Sequence, residues 1–123
     1  QSVFDEMRHA SLFPKARLTD GSALDAATAL RLGTAGGADL LGLPVGEIAP
    51  GHHADLVGLD LNDLSLHPLE TMERQIVHSM QSTAVVKVMV GGEIVASDHR
   101  TTKIDVGEVR SRVEEATRGW SRP

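Results

Sequence analysis

Cysteine is absent from this 123-residue chain, as is tyrosine, and the aromatic side chains amount to two phenylalanines and one tryptophan. Without cysteine there is no disulfide framework, no thiolate metal site and no thiol nucleophile. No apolar run approaches the roughly 18 residues needed to span a bilayer, and no signal-peptide pattern opens the chain, so no membrane partner is expected. Positive charge is scarce too: 12 Lys and Arg stand against 17 Asp and Glu, for a formal charge of −5. A sequence-independent grip on nucleic acid needs clustered Lys and Arg to displace counterions, so no nucleic-acid partner is expected either. What remains is ordinary. A hydrophobic fraction of 41% and a charged fraction of 24% are globular values, and a chain this long can bury roughly two thirds of its unfolded surface. The expectation is a soluble, cytoplasmic domain. Because the first residue is Gln1, a processed chain or one cut from something longer is expected.

The helical signals come first. Ser2 and Asp5 are placed to cap a helix, and Val3, Phe4, Met7, Ala10 and Ser11 recur at helical spacing up to Phe13, where Pro14 disfavours helical geometry. Thr19-Asp20-Gly21-Ser22 is turn and cap chemistry. It leads into Ala23 to Leu32, rich in helix formers, with Gly33 as the predicted stop and one more helical turn over Ala38 to Leu41. Asp105 is placed to cap a last helix with Glu108 at the capping-box position. Val106, Val109, Val113, Ala116 and Trp120 make one apolar stripe along it.

Between these lie the strands. Ala54 to Asp60 reads as a strand buried on both faces, and Ala84 to Val90 is the clearest strand of all. Gly91-Gly92 supplies the positive φ angles of a tight hairpin turn into the return strand Glu93 to Ser97. Residues 62–82 have no clean period. No internal repeat or low-complexity linker interrupts the order, which makes the fold class α+β rather than alternating β-α units. Three strands, one of them apolar on both faces, need two covering layers. The helices before Gly33 and the terminal helix are the candidate covers. Either 62–82 hides further strands or chain from elsewhere completes the sheet.

Three blocks of residues now carry a resemblance. Leu30-Arg31-Leu32-Gly33-Thr34-Ala35-Gly36-Gly37-Ala38-Asp39-Leu40-Leu41-Gly42-Leu43 resembles the segment after the last barrel strand of amidohydrolase-superfamily enzymes. Gly46-Glu47-Ile48-Ala49-Pro50-Gly51-His52-His53-Ala54-Asp55-Leu56-Val57 resembles that superfamily's Gly-x-Ile/Leu-x-Pro-Gly-x-x-Ala-Asp-Leu-Val signature, and Val85 to Val95 resembles the closing hairpin that follows it. Phe4-Asp5-Glu6-Met7-Arg8-His9-Ala10 is similar to the helix after the eighth strand in the deaminase and chlorohydrolase branch, which acts on amino- or chloro-substituted nitrogen heterocycles.

The resemblance implies a (β/α)8 barrel with one divalent metal, zinc or iron, whose bound water attacks the ring carbon bearing the leaving group. It implies a composite β-sandwich assembled from both chain ends. A barrel needs roughly 200 residues or more, and the family's ligand positions (a His-x-His pair, histidines on strands five and six, an Asp ending strand eight) have no match here. The chain is therefore expected to be the C-terminal portion of such an enzyme, inactive alone, with the missing N-terminal barrel portion as its partner. Residues 1–43 are expected to be the last barrel-side helices, 44–103 the C-terminal part of the composite sandwich, and 104–123 the amphipathic terminal helix. The alternative is a non-enzymatic, self-associating or partner-binding module derived from the same fold. Association into a homo-oligomer is expected.

No catalytic, cofactor-binding or metal-ligating residue is assigned within this chain. His52-His53-x-Asp55 has zinc-compatible groups, but adjacent histidines in a strand point to opposite faces and no third ligand is near. The resemblance places the pair in a turn. Asp55 is expected to anchor that turn before its strand. His67, His78 and His99 are expected in loops or at the surface, and His9 lies on the first helix. Gly33 to Gly37 lacks the preceding strand and the spacing of a phosphate cradle, and no G-x-S-x-G elbow is present. Gln1 to Phe4 are the only positions expected near the chemistry of the parent fold, and even there a helix cap is the simpler reading.

Overall fold

The structure, a computed structural model, describes residues 2–120. Helix α1 spans Val3–Leu18 and passes through Pro14, further than the sequence predicts. Two side chains on its last turns tie it down. The hydroxyl of the fully buried Ser11 and the ammonium of Lys15 both donate to the Leu24 carbonyl. These contacts hold the segment helical although Pro14 donates no bond to the turn before it. Thr19, in the left-handed region at φ 52, ends the helix. Ser2 makes no side-chain cap, but its carbonyl accepts from Glu6 N–H at 3.1 Å.

The second helical run starts later than predicted and ends later. Asp25, beyond the Thr19–Ser22 turn, is the cap, accepting from Thr28 N–H at 2.7 Å. Helix α2 (Ala26–Arg31) continues through a π-helical turn (Leu32–Gly36) into α3 (Gly37–Leu41). Gly33 is therefore not a stop. A Cβ there would lie 2.3 Å from Met7 Sδ, so its hydrogen lets α1 pack close. The stop is Gly42, at φ 65.

The four-stranded antiparallel sheet runs in sequence order: β1 (Leu56–Leu59), β2 (Val85–Val90), β3 (Glu93–Ser97) and β4 (Arg100–Thr101). Met89 faces Leu56 on one side and Ile94 on the other, with a register shift between Val88 and Met89. Gly91 and Gly92 sit at φ 57 and 83, the paired positive angles of the predicted hairpin turn. Asp98 and His99, at φ 49 and 60, make a second such turn without glycine and add β4, which the sequence did not show.

Residues 62–82 supply no strand. They form a 3-10 turn (Leu64–Leu66), then α4 (Met72–Arg74) running on through a π-helical turn (Gln75–Ser79), and a further 3-10 turn (Ser82–Ala84) leads into β2. This segment provides Leu66, Val77 and Met80, and Ala84 follows just after it; together they form the heart of the core. Val77 packs with Met7, Ala26 and Ala29, while Leu66 packs with Met80 and Ala84, and Phe4 bridges the two clusters. Arg8 joins α1 to the same segment, donating to the carbonyls of Val77 and Met80 at 3.3 and 2.9 Å. The architecture is α+β, with helices and sheet meeting over this segment.

Two expectations are corrected. β1 is not buried on both faces: Leu56 and Val57, successive residues that point to opposite faces, are both exposed, so neither face is fully covered there. The terminal helix α5 (Val106–Thr117) does not cover the sheet, since none of its residues is buried. Its cap is as predicted, with Asp105 Oδ1 accepting from Gly107 and Glu108 N–H at 2.8 and 3.1 Å.

Candidate functional site

An apolar groove of about 320 Å³ lies beside β1. Val3 and Met7 of α1 line it together with Leu30, Ile48 and Val57. Gly46 shapes one wall. At φ 85 its backbone passes so close to the helical run that a Cβ would lie 2.7 Å from Ala35 Cα. Two carboxylates, Glu47 and Asp55, also line it. Glu47 pairs with Arg31 at 3.1 Å, and Arg31 also reaches Asp39 at 3.2 Å, which pins the 44–48 turn to the helices. Asp55 accepts from Gly91 N–H at 2.6 Å, and Gly92 N–H donates to the Ala54 carbonyl at 3.0 Å. The signature's aspartate thus latches the strand entry to the hairpin turn. The outer edge of β1 pairs with no strand of the described residues, leaving unpaired backbone groups at the groove's margin.

The histidines do not converge. His52 Nδ1 lies 3.3 Å from the Glu47 carbonyl, and His53 is exposed beside it. His67 Nε2 lies 3.1 Å from the Leu61 carbonyl. His9 stacks on Phe13 at 5.3 Å, and His99 sits exposed in the second hairpin turn. Among the described residues, no three His, Asp or Glu side chains gather as a metal site would require. The residues present do not fit the metal of the expected parent enzyme. Gly33 to Gly37 are helical throughout, so they cradle nothing. Gln1 lies outside the described residues; Val3 and Phe4 line the groove.

One histidine differs from its expectation. His78, in the π-helical turn after α4, is half-buried, and burial, followed by the charges of Lys15, Arg74 and Arg8, holds its pKa below the ordinary 6.5. Lys15, Arg74 and His78 line a crevice that also holds Asp25 and Glu73, so its charges balance and it selects no ion of either sign. Nothing in the spacing around His78 marked it; only the fold brings those cations together.

Similarity to known proteins agrees with the geometry. Residues 1–95 match the amidohydrolase family. The 5-methylthioadenosine/S-adenosylhomocysteine deaminase of Haloarcula marismortui is 34% identical over 92% of this chain, which spans 26% of that relative's length. The deaminase of the same name from Acetivibrio thermocellus is 34% identical over 93% of the chain and 27% of its own length. A zinc-bound adenosine deaminase of Xanthomonas campestris superposes with a TM-score of 0.86 at 33% identity, over 91% of this chain and 26% of its own. The zinc complex of an atrazine chlorohydrolase from Arthrobacter aurescens has the same fold, with a TM-score of 0.78 at 22% identity over 91% of this chain and 25% of its own. With three quarters of its length matched by the family and deaminases related along nearly all of it, the chain belongs to the amidohydrolase family.

Proposed function

We propose that this chain is the C-terminal portion of a metal-dependent hydrolase of the deaminase and chlorohydrolase branch, and that it is inactive alone. The observation that carries this reading is one of extent. Identity of 34% runs along 92% of the chain, yet the chain answers to only 26% of the deaminase it resembles. The open edge of β1 and the apolar groove beside it support the same reading, since an added strand would satisfy the one and fill the other. Residues 1–43 then serve as barrel-side helices, 44–103 as part of a composite sandwich, and 104–123 as a terminal helix. The whole enzyme hydrolyses a C–N or C–Cl bond on a nitrogen heterocycle. An aminated purine nucleoside is the favoured substrate, because the deaminases are the relatives of higher identity. Its one divalent metal, zinc or iron, is held entirely by residues outside this chain.

The test is a chimera in which this chain replaces the C-terminal quarter of the Xanthomonas campestris adenosine deaminase, assayed beside the chain alone. The chimera is expected to bind zinc and release ammonia from adenosine, 5-methylthioadenosine or S-adenosylhomocysteine. The chain alone is expected to hold substoichiometric zinc and release none. A full equivalent of zinc on the isolated chain, lost in His52→Ala/His53→Ala, would overturn the proposal. A folded, zinc-loaded chimera inert toward all aminated purines would overturn the deaminase assignment.

A further inference from the structure

We draw no further inference here: the strongest candidate, the apolar surface stripe of Val106, Val109, Val113 and Trp120 along and just past α5, stands exposed in a chain that spans 26% of its relative's length, and nothing in the structure shows what covers it.

Discussion

Residues up to Ala84 and residues after it form two unlike halves. Every buried side chain lies in the first: Met7, Ser11, Ala26, Ala29, Ala35, Ala38, Leu66, Val77, Met80 and Ala84. From Val85 to Trp120 no residue is buried, although this half has the most regular hydrophobic patterning, in β2, β3 and α5. Regular patterning records the surface a segment is suited to cover, whereas burial records what this chain supplies to be covered. The halves differ because the first makes its own partners, with α1, α2 and the 64–84 segment closing on one another, whereas β2, β3, β4 and α5 bury no side chain.

The comparison is open to attack at several points, and the largest effect is expected in the first half. Leu66→Ala removes a fully buried side chain from the cluster with Met80 and Ala84 and is expected to cost about 3 kcal/mol in urea unfolding. Val90→Ala, at the exposed end of β2 in the second half, is expected to cost well under 1 kcal/mol. Equal losses at the two positions would erase the distinction between the halves.

Arg8→Met is next. It keeps much of the side chain's apolar stem but leaves the Val77 and Met80 carbonyls without their donor. About 1–2 kcal/mol of stability should be lost, together with earlier hydrogen exchange in the 75–80 turn.

The two helix caps give a sharper contrast. Asp25→Ala and Asp105→Ala each remove a carboxylate that accepts backbone N–H bonds, worth about 1 kcal/mol to the helix concerned. The first should lower the midpoint of the whole unfolding transition. The second should reduce helical circular dichroism at low concentration while leaving that midpoint in place, because α5 melts by itself.

Acid should act on the first half in two steps. His78 takes up a proton more readily in the unfolded chain than in the folded one, so its contribution is intact above about pH 6.5 and stability falls as the pH drops below that value. Asp20, Asp25 and Asp63 are held below the ordinary 3.8 by hydrogen bonds from Ser22, Thr28 and Ser65, so their contribution is lost only as the pH falls beneath 3.8. His78→Gln should flatten the first step and spare the second, read as thermal midpoint against pH.

What the sequence disclosed followed the same division. The β2–β3 hairpin, the Asp105 cap and the α5 stripe were legible because each is local: a glycine pair, a carboxylate before a helix, a repeat of valines. The 62–82 segment was opaque because its short turns bury one residue apiece, Leu66, Val77 or Met80, and so generate no period. Pro14 and Gly33 were misread as breaks because the contacts that keep those positions helical, Ser11 and Lys15 to Leu24 and Met7 against Gly33, come from residues on other turns or other helices. The carboxylates of the groove were visible only as members of a signature. Their meeting at one groove depends on the close approach at Gly46 and on the Asp55–Gly91 latch.

That latch has a kinetic consequence. Asp55 and Gly91 are 36 residues apart, and the pairing of β1 with β2 encloses the segment that carries Leu66, Val77, Met80 and Ala84. The β2–β3 hairpin closes over two residues and can form early, but β1 joins it only by closing a long loop, whose entropy is recovered once the enclosed residues find α1 and α2. Sheet completion and core formation are thereby one event. Weakening the core is expected to slow the arrival of β1 more than that of β3, so the last strand to be secured is the one that borders the groove.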